Sequence, residues 1–336
     1  MSDKITVAVD ALGGDDAPKV VLEGCEAALK SDPDLTIVLC GPSDVVVPFA
    51  ESHERCVAKV CTEAIEMGEH GANAVRKKKD SSIVVGCKLV KEGEAQGFFS
   101  AGSTGACLAA ATLFMGRVKG VKRPALATIV PSPVRPIILT DCGANADCKP
   151  EYLVQFAQMG IEYCKAVLGR ENPSVALLNI GSEEEKGSSF ALEAHALLKE
   201  LPGFAGNAEG NDVVGATYDV VVTDGYTGNV CLKTIEGTAK ELFRAIKGAM
   251  MSSLSTKIGA ALIKGELYSL KDSISADTYG GAPLLGVRGA CIVGHGSSSA
   301  KAIENGVAFT ALMARTKLAE HIASAVGSPN GAEQDA

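Results

Sequence analysis

Short β-branched runs alternate along the chain with longer stretches in which apolar residues return every three or four positions. The runs suit strands buried on both faces and the longer stretches suit helices that cover them. The pattern therefore predicts an α/β fold with a mainly parallel central sheet and helices on both faces. Strands are expected at 5–9, 36–40, 57–60, 97–100, 125–130, 136–140, 175–179, 204–208, 219–223 and 290–293. Helices are expected at 18–30, 81–92, 105–116, 151–168, 188–200, 228–250, 254–270 and 299–326. A single domain is expected over 1–327, with a helical extension near 240–275 and a disordered tail at 328–336. Residues 95–116 carry no charge, but Gln96, Ser100, Ser103, Thr104 and several glycines interrupt the run, so a strand, loop and buried helix fit it better than a membrane span.

The residues after the strands repeat one chemistry. Asp10-Ala-Leu-Gly-Gly-Asp15, Ser100-Ala-Gly-Ser-Thr-Gly105, Asp141-Cys-Gly-Ala-Asn145, Asn179-Ile-Gly-Ser182, Asn207-Ala-Glu-Gly-Asn-Asp212, Asp224-Gly-Tyr-Thr-Gly-Asn229 and Gly294-His-Gly-Ser-Ser-Ser299 all combine glycine with small polar side chains. In an open α/β sheet such loops are expected together at the carboxyl edge, where ligands bind. Loops of this kind present backbone N–H groups, hydroxyls and a helix N-terminus to a phosphate or oxyanion. Each alone is also ordinary helix capping. There is no Walker sequence, and no full G-x-G-x-x-G follows the first strand, so an ordinary triphosphatase and a standard dinucleotide fold are both disfavoured.

Composition narrows the picture. Glycine numbers 37 of 336 residues without a collagen period, and aromatics are only 4% with no Trp, so the core must be aliphatic. Thirty-two basic against forty acidic residues give a net charge of −8, which argues against nucleic-acid binding. The eleven cysteines show no Cys-x-x-Cys pair and read as reduced thiols used for packing; no metal-ligand spacing is present. Residues 1–10 read as an immediate strand rather than a signal peptide, so a cytoplasmic protein is expected.

Eight segments then stand in a recognisable order: Val7-Ala-Val-Asp-Ala-Leu-Gly-Gly-Asp-Asp-Ala-Pro18, Lys77-Lys-Lys-Asp-Ser-Ser82, Ser100-Ala-Gly-Ser-Thr-Gly-Ala106, Asp141-Cys-Gly-Ala-Asn145, Gly181-Ser-Glu-Glu-Glu-Lys-Gly187, Asn207-Ala-Glu-Gly-Asn-Asp212, Thr223-Asp-Gly-Tyr-Thr-Gly-Asn229 and Tyr279-Gly-Gly-Ala-Pro-Leu-Leu-Gly286. Over nearly its whole length the chain resembles the bacterial phosphate acyltransferase of phospholipid synthesis. Leu12 stands where that family usually has Met, and Ser103 where it usually has Asn. The resemblance implies transfer of a fatty acyl group from acyl carrier protein to inorganic phosphate, with no cofactor. It also implies a homodimer, peripheral membrane association, and a fold similar to phosphotransacetylase and the isocitrate dehydrogenase group. A phosphotransacetylase-like enzyme using coenzyme A, or a non-catalytic phospholigand or lipid-binding module, remains as an alternative.

Candidate catalytic residues are Lys186, Asn229 and His295. Lys186 follows a strand-end glycine and, with the family motif, suits a cation beside phosphate; otherwise it balances Glu183, Glu184 and Glu185. Asn229 donates to the thioester carbonyl or caps its helix. His295 protonates the leaving thiolate, holds phosphate, or is structural. Substrate contacts are expected from Gly13, Gly14, Ser100, Gly102, Ser103, Thr104, Asn145, Gly181, Ser182, Gly296 and Ser297. Asp10, Asp141 and Asp224 are expected to position loops, because bare carboxylates repel phosphate. Cys142 is the one thiol among these loops and a conceivable acyl acceptor, although direct attack by phosphate is favoured. His53, His70, His195 and His321 lack such a setting and are expected to be structural. The basic run Arg76-Lys-Lys-Lys79 suits an acidic carrier protein or a solvated helix flank. Residues 254–271, with Leu254, Ile258, Leu262 and Leu270 beside Lys257, Lys264 and Lys271, suit an anionic membrane surface or packing against a dimer partner.

Overall fold

The computed structural model describes residues 4–132, 134–267 and 279–327. All ten expected strands form within one residue of their expected ends: β1 Ile5–Asp10, β2 Leu35–Gly41, β3 Cys56–Val60, β4 Gly97–Ser100, β5 Ala125–Val130, β6 Ile137–Thr140, β7 Val175–Leu178, β8 Phe204–Ala208, β9 Val220–Val222 and β11 Ala290–Val293. One more, β10 Ala282–Leu285, was not expected. Its four residues lie between Gly281 and Gly286 and include Pro283, which has no N–H and makes the segment read as a turn. The strands make one sheet in the order β3-β2-β1-β4-β11-β10-β5-β6-β9-β7-β8.

Only three neighbouring pairs are antiparallel, β11 with β10, β10 with β5, and β5 with β6. Their net effect is to reverse the chain, so that β6, β9, β7 and β8 run opposite to β1, β2, β3, β4 and β11. The register continues across this reversal. Ala58, Leu39, Val9, Phe99, Ile292 and Pro283 share one cross-strand row with Ala127, Thr140, Val222, Leu177 and Asn207. Most strands end at or just beyond this row. The expectation that all seven polar loops share one edge is therefore corrected. Loops 10–15, 100–105 and 294–299 leave the row in one direction, and loops 141–145, 179–182, 207–212 and 224–229 leave it in the other.

Side chains alternate across the sheet as strand geometry requires. Val7, Val9, Ile37, Leu39, Phe99 and Ile292 enter one core with helices Lys19–Ser31, Pro150–Leu168 and Ala300–Arg315. Ala8, Val38, Phe98, Cys291 and Val293 enter another with helices Ser82–Glu92 and Thr104–Ala110. A third, smaller core lies under helix Gly225–Met250 and includes Cys142, Val221 and Leu139. Nine of the eleven cysteines are buried, which agrees with their use as packing residues.

Several expected helices differ in detail. The segment 299–326 is two helices, Ala300–Arg315 and Leu318–Val326, because Lys317 adopts the left-handed conformation at φ 51°, which a lysine does not announce. The segment expected at 105–116 is the helix Thr104–Ala110 followed by a π turn, Ala111–Met115. The segment 254–270 is helical at Leu254–Leu262, turns at Ile263 and is helical again over 264–267; Leu270 and Lys271, like the expected tail 328–336, lie outside the described residues. Helices Ser43–Glu51, Gly71–Lys77 and Gly210–Gly215 went unexpected because they are short, and the first contains Pro48. Helix Leu254–Leu262 buries none of its residues, and Leu254, Ile258 and Leu262 are exposed. No helix among the described residues is long and apolar enough to cross a membrane.

Asp219 ties together the strands on the reversed side. It accepts from Ser174 N and Oγ, both at 2.8 Å, and pairs with Arg135 and Arg170. Burial pushes its carboxyl up, but the Ser174 hydrogen bonds and the two guanidinium groups outweigh burial and hold it below the ordinary value of 3.8. A depressed carboxyl stabilises the fold above its unfolded value and loses that contribution as pH falls below it. Asp219→Asn should destabilise the protein at pH 7 by about 1–3 kcal/mol, since two partly exposed guanidinium groups lose a charged acceptor. The same variant should flatten the acid side of a stability-against-pH curve measured by denaturant unfolding; an unchanged acid limb would contradict this role.

Candidate active site

On the first side of the row, Asp10 organises the loops. Its buried carboxylate accepts from Ser100 Oγ at 2.7 Å and Leu12 N at 3.0 Å, and Ser100 Oγ accepts from Gly102 N at 3.0 Å. Burial raises the Asp10 carboxyl above its ordinary range, opposed by hydrogen bonds from Ser82, Ser100 and Leu12. Gly13 lies so close that a Cβ there would stand 2.8 Å from both Ala101 N and Gly102 N. Gly14 has φ +116° and lies against the Gly296 carbonyl, which also accepts from Asp15 N at 2.7 Å. Gly13, Gly14, Ser100, Gly102 and Gly296 thus meet as expected. Ser100 is an exception in role, because its hydroxyl turns inward and is spent on Asp10 and Gly102.

The remaining groups on this side are the buried Ser103 and the outward Thr104, Ser297 and His295. Ser103 precedes helix Thr104–Ala110 without a side-chain cap hydrogen bond, and among the described residues its Oγ and the N–H groups of Thr104 and Gly105 have no partner, while Ala106 N donates to Ser103 O at 3.0 Å. Ser297 N donates to His295 Nδ1 at 3.3 Å, and Ser297 Oγ lies 2.8 Å from the same nitrogen. With Nδ1 accepting, the neutral ring carries its proton on Nε2, which has no partner. His295, Ser297 and Thr104 are exposed.

Across the row, Asp141 plays the role of Asp10. Its Oδ1 accepts from Leu126, Gly143 and Ala144 N–H groups at 3.0–3.1 Å, and its Oδ2 accepts from Asn145 N and Nδ2, both at 2.8 Å. Burial raises its carboxyl, against the pull of these hydrogen bonds. Asn145 also donates to Pro124 O at 2.8 Å, so its amide braces the loop instead of facing a ligand. Asp224 caps helix Gly225–Met250 by accepting from Thr227 N at 2.9 Å. Asn229 is therefore not the cap. It sits one turn inside, exposed and against Gly143, and its side chain has no hydrogen bond among the described residues.

Cys142 lies in the same loop, but its Sγ donates inward to Leu139 O at 3.2 Å, and burial holds the thiol far above its ordinary range. A protonated, enclosed sulfur cannot attack a thioester, which removes it as an acyl acceptor.

The third group carries Lys186. Asn179 Nδ2 donates to Lys186 O at 3.1 Å, and Asn207 Nδ2 donates to Glu183 O at 2.8 Å. Asn207 Oδ1 is in turn held at 2.9 Å from Nδ1 of buried His195. Two asparagines thus clamp loop 181–187. Gly181 lies under the Glu183 and Lys186 side chains, and Ser182 is exposed. Glu184 pairs with Lys199, while the exposed Lys186 ammonium has no ion pair among the described residues. Among the described residues no side-chain hydrogen bond or ion pair joins this group to the other two. Sequence reasoning passed over Ser82, Asn179 and Asn207 as braces; all three stand in the quoted segments, but their inward direction has no signature there, whereas His195 takes the structural role expected of it.

The family described as "Fatty acid synthesis protein" matches residues 5–321. The chain is 43% identical over 327 residues to a phosphate acyltransferase of Clostridium botulinum (strain Loch Maree / Type A3), covering 96% of this chain and 98% of the relative. It is 46% identical over 307 residues to a phosphate acyltransferase of Clostridium perfringens (strain ATCC 13124), covering 90% and 91%. Among solved structures it is similar to a phosphotransacetylase from Streptococcus pyogenes, with 18% identity, a TM-score of 0.59 and 94% of each chain covered. A branched-chain phosphotransacylase from Enterococcus faecalis V583 gives 14% identity and a TM-score of 0.58, covering 92% of this chain and 99% of that one. These two likenesses show the fold.

In the folded protein a thiol reagent should modify the half-buried Cys148 and Cys231 well before Cys142. Mass mapping of the labelled peptides checks this, and rapid native labelling of Cys142 would contradict its enclosure.

Proposed function

The chain belongs to the fatty acid synthesis protein family, and on that premise we propose that it transfers a fatty acyl group from acyl carrier protein to inorganic phosphate. Phosphate oxygen attacks the thioester carbon, a tetrahedral oxyanion forms, and the C–S bond breaks to give acyl phosphate and the carrier thiol. Phosphate is already an anionic nucleophile and the thioester already activated, so the protein has to orient them and stabilise the oxyanion.

The observation that carries this reading is a division of labour among the polar loops. The carboxylates of Asp10, Asp141 and Asp224 are spent on their own loops. Among the described residues the Lys186 ammonium, Asn229 carboxamide, Ser103 hydroxyl and His295 Nε2 have no partner. Donors left open beside neutralised carboxylates suit an anion and a developing oxyanion. In this scheme Lys186 and the N–H groups of Gly14, Ser103 and Thr104 hold phosphate, Asn229 donates to the thioester oxygen, and His295 Nε2–H donates a hydrogen bond to the leaving sulfur, whose proton comes from the attacking hydrogen phosphate.

Exposed Arg76, Lys77 and Lys79 support docking of an acidic carrier; Lys78 is instead held by Glu69 and Ala64 O. The exposed apolar side chains of helix Leu254–Leu262, beside Lys257, support reversible contact with an anionic membrane or a dimer partner. Membrane contact would place the acyl chain of the amphiphilic product beside an apolar phase.

Incubation with acyl carrier thioester and phosphate should release free thiol and an acyl phosphate that hydroxylamine traps. Lys186→Ala and Asn229→Ala should each slow this at least about tenfold, or about 1.4 kcal/mol, while the melting curve is retained. Preference for a coenzyme A thioester would favour the short-chain alternative, and the absence of phosphate-dependent thiol release would overturn the reading. Charge reversal at Arg76, Lys77 and Lys79 should raise KM for the carrier and leave KM for phosphate unchanged.

A further inference from the structure

A cavity of about 460 Å³ opens at the N-terminal ends of β4 and β11, away from Ser103 and His295, which follow the C-terminal ends of the same strands. It is enclosed by the β10–β11 turn, the end of helix Ser82–Glu92 and the junction at Lys317 between the last two helices. Its volume falls within the ~300–1,000 Å³ typical of small-molecule sites. None of the loops placed above in acyl transfer lines it.

Its chemistry is two-sided. Val90, Leu284, Val287, Met313, Leu318 and Ile322 make an apolar interior with no aromatic ring. The lining also carries four cations, Lys91, Lys119, Arg288 and Lys317, against one acid, Glu320. In a chain with forty acidic and thirty-two basic residues, that ratio runs against the overall balance. All four cations are exposed, and none has an ion pair among the described residues. Arg288 is also held in place: its backbone N donates to Gly116 O at 2.9 Å, and its Nε to Arg117 O at 3.1 Å. Those bonds leave the terminal guanidinium nitrogens open for a bidentate contact. Helix Leu318–Val326 starts in the wall without a side-chain cap and adds its positive end.

We propose that this cavity binds a single-chain amphiphile with an anionic head group. The alkyl chain lies against Leu284, Met313 and Ile322, and the head group meets Arg288 and Lys317. Phosphate alone would leave the apolar walls unused, and a neutral lipid would leave the cations unpaired. The site is independent of the acyl-transfer reading and can be tested without phosphate or carrier protein.

The probe is dodecanoate below its micelle concentration, titrated into the full chain by calorimetry, with dodecylammonium and inorganic phosphate as comparisons. Saturable binding at one site is expected for dodecanoate and for neither comparison. Arg288→Glu should weaken it at least about tenfold, and Ala323→Trp, which fills the cavity, should do the same. Lys186→Ala should bind dodecanoate normally. If Arg288→Glu does not fold by circular dichroism, Lys119→Glu at the exposed mouth replaces it. Equal binding of dodecylammonium, undiminished binding in both the charge-reversed and the filled variants, or loss of binding in Lys186→Ala would each overturn the proposal.

Discussion

Three antiparallel pairings in the middle of an otherwise parallel sheet, β11 with β10, β10 with β5 and β5 with β6, decide where every polar loop can go. Without them all strands would point the same way, and the loops would form one rim. With them, strand ends from both halves meet near one row and depart from it in opposite directions. Asp10, Ser100 and the His295 loop stand on one side, while Asp141, Asn229 and the Lys186 loop stand on the other. A substrate that needs a cation, an amide and an imidazole must therefore engage both halves, and that requirement follows from backbone pairing rather than from any side chain.

The two halves solve the same electrostatic problem in the same way. A carboxylate after a strand would repel phosphate, yet a carboxylate is also the strongest available acceptor for the N–H groups of a tight glycine loop. Asp10 and Asp141 resolve the conflict by being buried, where desolvation raises their carboxyls and several donors oppose that rise. Their loops become rigid, and no bare charge is left facing outward. Asn179 and Asn207 brace the Lys186 loop with neutral amides, so the ammonium remains without an ion pair even though three glutamates precede it.

Elements set by local physics were legible in the sequence. Every long β-branched run became a strand, because burial on both faces demands such a run. Long amphipathic segments became helices for the matching reason. What escaped notice depends on distant partners. The four residues of β10 have no period, and Pro283 argues against a strand until β11 and β5 flank it. Strand direction is a property of pairs, so the division of the loops could not be read from one segment. At the candidate site, the residue types were readable but not their aim: Ser100 and Asn145 turn inward, while Asn229 lies a turn beyond the residue that caps its helix. The collinear segments carried the reaction, since Ser, Asn, Gly and Lys after strands describe many anion sites.

The enclosed cysteines have a further chemical consequence. Burial raises the thiols of Cys25, Cys87, Cys107, Cys142 and Cys291 above their ordinary range, so at neutral pH they are protonated. Thiol exchange needs a thiolate and an open path to the sulfur. The proposed reaction consumes a thioester at every turnover, a condition under which a reactive cysteine thiolate would be acylated by thiol–thioester exchange. Held as hydrocarbon-like packing, these five thiols are closed to exchange with the thioester, whereas the half-buried Cys148 and Cys231 are less enclosed.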